Sequence, residues 1–113
     1  MKVNNVNKQI EYIKELKATL GSDTNLNMVL TFLELAKDRG ITGRDLESLL
    51  DMPSATAARM LKRFDKVQSN GKEGYDMVEA RLDPTDYRNK LRYLNQAGKA
   101  FLAQLDEILF GKQ

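Results

Sequence analysis

The sequence predicts a mainly α fold with a single small β-hairpin. Three observations carry that expectation. Apolar residues recur at spacings of three and four in several separate stretches, as they do along one helical face. Gly, Pro, Asn and Asp punctuate the gaps between those stretches. One late stretch instead alternates loosely around an Asp-Pro turn, the mark of a hairpin. The chain has 113 residues, enough for one hydrophobic core and not two, so residues 1–113 read as a single domain.

In the first helix, Val3–Leu20, residues Val3, Val6, Ile10, Ile13, Leu16 and Leu20 form one stripe that stops at Gly21. A second helix is expected over residues 24–39, with Leu26, Val29, Leu30, Leu33 and Ala36 inward and Gly40 closing it. Ile41 is a lone apolar residue. Thr42 then offers an N-cap hydroxyl, and Asp45 places negative charge in the first turn of a third helix, Gly43–Leu50, that buries Leu46, Leu49 and Leu50. Pro53 disfavours helical geometry at Met52, so the chain breaks there. Ser54 is expected to cap a fourth helix running to about Lys66, with Ala57, Met60, Leu61, Phe64 and Val67 toward the core. Residues 42–66 thus form a helix-turn-helix. Residues 68–74, polar with two Gly, read as a flexible loop.

Over residues 75–94 a strand from Tyr75 to Leu82 and a second through Leu91 and Tyr93 flank the turn Asp83-Pro84-Thr85-Asp86. The last helix, Gln96–Phe110, shows Ala97, Phe101, Leu105 and Ile108 on one face, widened by Leu102 and Leu109. A helix-turn-helix followed by a hairpin is a winged helix, and every punctuating residue agrees with that order.

Composition closes several function classes. The chain has no His, no Cys and no Trp. It therefore has no disulfide framework, no thiolate or imidazole metal site and no thiol nucleophile, and no metal or cofactor is expected. Asp83 and Asp86 are a carboxylate pair, but at a hairpin tip they read as turn formers rather than an acid–base couple; the chain is not expected to be an enzyme. No apolar run approaches the roughly 20 residues of a membrane span. The polar, Asn-rich start is not a secretory signal, so a cytoplasmic protein is expected.

Eighteen Lys and Arg face sixteen Asp and Glu, a net charge of only +2. If the partner is nucleic acid, the positive charge must be arranged locally. Residues 54–72 hold five basic side chains, Arg59, Lys62, Arg63, Lys66 and Lys72, against the single acid Asp65. The first turns of the fourth helix carry small residues, among them Ser54 and Thr56, that let a backbone approach base edges. Arg59 is placed for bidentate contact with guanine. Lys62, Arg63 and Lys66 suit phosphates. Around the hairpin tip stand Arg81, Arg88, Lys90 and Arg92, with Asp83 and Asp86 in the turn. An Asp beside an Arg can hold the guanidinium extended, the pose that suits a narrow minor groove.

The stretch 54–98 resembles the core of the MarR family of winged-helix transcription regulators. That family's wing reads approximately Asp-Pro-x-Asp-Arg-Arg, followed by Leu-Thr-x-x-Gly at the start of the next helix. Here the corresponding segments are Asp83-Pro84-Thr85-Asp86-Tyr87-Arg88 and Leu94-Asn95-Gln96-Ala97-Gly98. Upstream, residues 42–46 and 54–59 resemble the family's helix-turn-helix, and Arg44 joins the expected DNA contacts. The resemblance covers about residues 26–110. It implies a sequence-specific regulator of double-stranded DNA, a repressor, binding a pseudo-palindromic operator as a homodimer. The recognition helix would lie in the major groove, with Arg88 in the minor groove. The dimer would be built from residues 3–20 and 96–110, through Val6, Ile10, Ile13, Phe101, Leu105, Ile108 and Leu109. Many members respond to a small-molecule effector, but no residue here carries that site over. The chain departs from the pattern at Tyr87, which replaces the first wing Arg, at Asn95, which replaces Thr, and in the longer stretch 68–76. The short chain and near-neutral charge favour a second reading, a winged helix used for protein contact, as an adaptor or a phage-type inhibitor of host machinery.

Overall fold

The computed structural model describes residues 2–111. Five helices and one antiparallel hairpin follow in the order α1 Val3–Leu20, α2 Leu26–Ala36, α3 Gly43–Leu50, α4 Ser54–Phe64, β1 Val78–Asp83, β2 Asp86–Leu94 and α5 Gln96–Phe110. This is the expected winged arrangement. Ile41 exchanges both backbone hydrogen bonds with Arg92, 3.0 and 2.9 Å, so it adds a one-residue third strand to the hairpin.

The helix starts follow from local chemistry. Asn25 accepts from the Met28 N–H, and Asn95 from the Gly98 N–H. Thr42 and Asp45 form a complete capping box: the Asp45 N–H donates to the Thr42 hydroxyl, and the Thr42 N–H to the Asp45 carboxylate. Asp51 adopts a left-handed conformation after α3, and Pro53 occupies the N-cap of α4. Ser54 is therefore the first helical residue and makes no capping bond, contrary to the expectation. With Pro53 extended at the cap, the hydroxyl lies one position too far along.

The core is centred on Phe32, whose ring lies 5.2 Å from Phe101 and 6.2 Å from Phe64. Leu16 and Leu20 of α1, Leu46 of α3, Ala57 and Leu61 of α4, and Leu105 of α5 close around it. The inward face of α2 is only partly the one expected: Val29, Leu33 and Ala36 are half-buried against the core, but the helix turns other residues further inward. Met28, Thr31, Phe32 and Leu35 are buried, while Leu26 is 78% and Leu30 43% exposed. Apolar residues surround this helix almost completely, so periodicity cannot select a face. The bulk of Phe32 fitted between two other rings does. Thr31 is tolerated inside because its hydroxyl donates to the Asn27 carbonyl at 2.7 Å. Three other inward assignments are corrected. Leu49 and Val67 are exposed, and so is Ala97, the place nearest the core on that turn being taken by Gly98.

Residues 65–77 are not the flexible loop expected. Val67 pairs with Glu73 around a tight turn, and the Gln68 N–H donates to the Lys72 carbonyl at 2.8 Å. The returning chain then caps α4. The N–H groups of Gly74, Tyr75, Asp76 and Met77 donate to the carbonyls of Lys66, Arg63, Asp65 and Phe64. Arg63 and Phe64 are orphan acceptors of the helix end and Asp65 and Lys66 follow it directly, so Tyr75 to Met77 serve the end of α4 and β1 starts only at Val78. The approach is so close that a Cβ on Gly74 would stand 1.9 Å from the Asp65 carbonyl oxygen.

Truncating the central ring is expected to be severe. Phe32→Ala should cost about 3–5 kcal/mol in denaturant unfolding, whereas Leu26→Ala, at an exposed site, should change stability by less than about 0.5 kcal/mol.

Candidate nucleic-acid interface

The face of α4 opposite Ala57, Leu61 and Phe64 carries Ala55, Arg59 and Lys62, at about 100° per residue. Ser54, Ala58 and Lys66 are exposed as well. Arg59, Lys62 and Lys66 make no ion pair among the described residues. The small residues of the first turn leave a cleft of about 340 Å³ between α3, α4 and the wing tip. Arg44, Glu47, Ser54, Ala58, Asp86 and Arg88 are among the residues that line it, two guanidiniums and two carboxylates. Residues from distant parts of the chain thus line one cleft beside the uncapped start of α4; Glu47 and Asp86, the latter already chelating Arg88, balance its two guanidiniums.

The wing tip is organised by its carboxylates. The Asp83 Oδ1 accepts from the Thr85 N–H at 2.9 Å and the Thr85 hydroxyl at 2.7 Å, closing the turn. Asp86 takes both Nε (3.0 Å) and Nη2 (3.1 Å) of Arg88, together with the Arg88 backbone N–H. The Asp83 carboxyl is held below its ordinary value chiefly by the Thr85 hydroxyl, and the Asp86 carboxyl chiefly by the Arg88 side chain. Arg44 lowers Asp86 a little further through space. Arg88, held by Asp86, is still 90% exposed. Lys90, opposite Leu82 in the hairpin register, is also exposed.

Several basic residues are placed differently from the expectation. Arg63 is not a phosphate ligand in waiting. Its Nη2 donates to Asp23 at 2.8 Å and to the Tyr75 hydroxyl at 3.1 Å. Tyr75 in turn donates to the Leu20 carbonyl, joining α4 to the end of α1. Tyr75 first, then Asp23, holds the Arg63 charge in place. Thr56, half-buried, lies on the same flank as Met60 and Arg63, away from the wing. Arg81 lies over the Tyr93 ring at 4.4 Å and bonds Glu79, so it braces the sheet. Arg92 is taken up completely. Its Nε and Nη2 make a bidentate pair with Asp65, both bonds 2.9 Å, and its side chain is only 12% exposed. Asp23, Asp65 and Tyr75 were not among the sequence candidates. Their partners lie between 12 and 55 residues away along the chain, where no spacing rule reaches.

Of the expected dimer residues, Phe101 and Leu105 are buried in the chain's own core and cannot be interface residues. Packing of α5 against α1 and Phe32 takes them. Val6, Ile10 and Ile13 remain open on α1, and Ile108 and Leu109 are half-exposed on α5. Among the described residues, no helix is long and apolar enough to cross a membrane, and no group of three or more His, Cys, Asp or Glu could hold a metal ion.

The Asp86–Arg88 pair sets a pH dependence. A carboxyl depressed in the folded wing contributes order in full above its ordinary range, and that order is lost as pH falls through the depressed value. In an NMR titration, the Arg88 Nε–H should therefore stay protected through the ordinary carboxylate range and be released only below it. Asp86→Asn should release it at every pH without lowering the melting temperature.

No family model matches the sequence, and no curated protein matches it. Solved structures do. A mutant MarR from E. coli superposes with a TM-score of 0.62 at 23% identity, over 94% of this chain and 70% of that one. A mutant MarR from E. coli complexed with operator DNA gives 0.61 at 22%, over 91% and 69%. A transcriptional regulator from Thermotoga maritima gives 0.69 at 15%, over 92% and 66%. The chain has the winged-helix fold of these MarR-type regulators.

Proposed function

We propose that this protein is a sequence-specific, double-stranded DNA-binding transcriptional regulator, a repressor that acts in the cytoplasm as a homodimer on a pseudo-palindromic operator. The observation that carries the reading is the outer face of α4, where Arg59 and Lys62 stand without ion-pair partners among the described residues. Next to that face, Arg44 lines the cleft beside the uncapped start of α4. A phosphate at the rim of that cleft would meet Arg44 and the helix N-terminus, while Arg59 meets base edges in the major groove. The wing would lie over the adjacent minor groove. The fold likeness to a MarR complexed with operator DNA is consistent with this placement.

The dimer is read from α1. Val6, Ile10 and Ile13 form an apolar stripe that the described chain leaves 39–51% exposed, continued by Ile108 and Leu109 at the end of α5. A second copy packed there would set two recognition helices one DNA turn, about 34 Å, apart. Bound across a promoter, such a dimer represses by occlusion.

Fluorescence anisotropy on duplexes enriched from a random-sequence pool tests the DNA reading. The logarithm of affinity should fall linearly with that of salt. Lys62→Ala should lower the slope by about 1 on every sequence, and Arg59→Ala should relax base preference at a cost of about 1–3 kcal/mol. Absence of binding to any duplex at low salt overturns it and favours the protein-contact module. For the dimer, Ile10→Asp should convert a dimeric species to a folded monomer in sedimentation. A wild-type protein that sediments as a monomer at all concentrations refutes the interface.

A further inference from the structure

The wing tip is not a bare cationic probe. Residues 83–88 hold two carboxylates and one guanidinium, a formal charge of −1, and that guanidinium is already chelated by Asp86. What the tip does present is a ring. Tyr87 is 73% exposed, and among the described residues its ring has no aromatic or cation–π partner. Leu82, further back on the same hairpin, is 59% exposed.

The backbone under Tyr87 is unusual. Asp83 pairs with Asp86 and Leu82 with Lys90, so residues 87–89 have no opposite number on β1 and bulge out of the ladder. Asp86 ties that bulge from one side, through the Arg88 N–H and the Arg88 side chain, with the Asn89 amide at 3.5 Å. Four hydrogen bonds tie the residues that follow this exposed aromatic, so little backbone freedom is lost when the ring meets a surface. A phenol ring on a narrow hairpin suits the minor groove, about 6 Å wide. There its faces can pack on sugars while its hydroxyl donates to the acceptors of A·T pairs. The 2-amino group of guanine would obstruct it.

We propose that Tyr87 is a specificity-determining side chain that enters the minor groove beside Arg88, so that the wing reads A·T-rich sequence mainly by apolar fit rather than by charge. This rests on the DNA-binding reading above and adds to it a role for the residue at which the chain departs from the family's wing.

The chain contains no Trp, so Tyr87→Trp places a unique fluorophore at the tip. The probe is a 30-base-pair duplex that the wild-type protein enriches from a random-sequence pool. The duplex should shield that Trp from acrylamide several-fold. Tyr87→Ala, with unchanged melting temperature, should bind the duplex about tenfold more weakly with the same salt slope, whereas Arg88→Ala should lower the slope by about 1. Replacing A·T by G·C under the wing should weaken the wild type and leave Tyr87→Ala nearly unaffected. If the wild type enriches no duplex, the DNA reading and this inference fall together. If it enriches one and Tyr87→Ala binds it as tightly, or the Trp stays fully quenchable in the complex, this inference falls alone.

Discussion

The wing and the fourth helix hold one mutual orientation because the end of that helix is tied to the hairpin twice. The returning chain at Gly74 to Met77 satisfies four carbonyls of the last helical turn and the residues after it. The Arg92–Asp65 pair then bolts the last third of β2 to the same turn. Arg92 also exchanges backbone bonds with Ile41, so the segment between α2 and α3 is held by the same residue. Removing one partner of so enclosed a pair would leave a poorly solvated charge, which costs far more than an exposed ion pair contributes. These ties hold the wing beside the helix-turn-helix, so that Arg44 and Arg88 line one cleft.

The near-neutral charge conceals a local arrangement. Several charges that seem available already have partners within the chain. Asp65 neutralises Arg92, Asp23 neutralises Arg63, and Glu79 holds Arg81. On α4 the positive charges left over are Arg59 and Lys62, on the side away from the core, with Lys66 just beyond the helix end. The basic surface is thus made by subtraction. The acids withdraw some cations into structural roles, and the remainder share one face. Net charge hides such an arrangement because paired and unpaired groups count alike.

Helix boundaries were legible because they are local. The Thr42–Asp45 capping box, the break at Pro53, the stop at Gly21 and the Asn95 cap each involve residues within a few positions of one another. The glycine of the Leu-x-x-x-Gly segment has an equally compact reason, since a Cβ on Gly98 would stand 2.4 Å from the Met77 carbonyl oxygen. The Asp86–Arg88 bond was legible for the same reason. By contrast, the buried face of α2, the occupation of Arg63 by Asp23 and Tyr75, and the burial of Phe101 and Leu105 depend on groups far along the chain.

By itself the amino-acid sequence determined the order of elements, the caps that delimit them and the turn chemistry of the wing, because these are set by short-range sterics and hydrogen bonds. It also determined which catalytic and metal chemistries are closed, through the residue types it lacks. Only the tertiary structure decided which basic side chains stay free and which apolar ones stay uncovered. Those outcomes are competitions for partners, and a competition is settled by which groups the packed chain brings within reach.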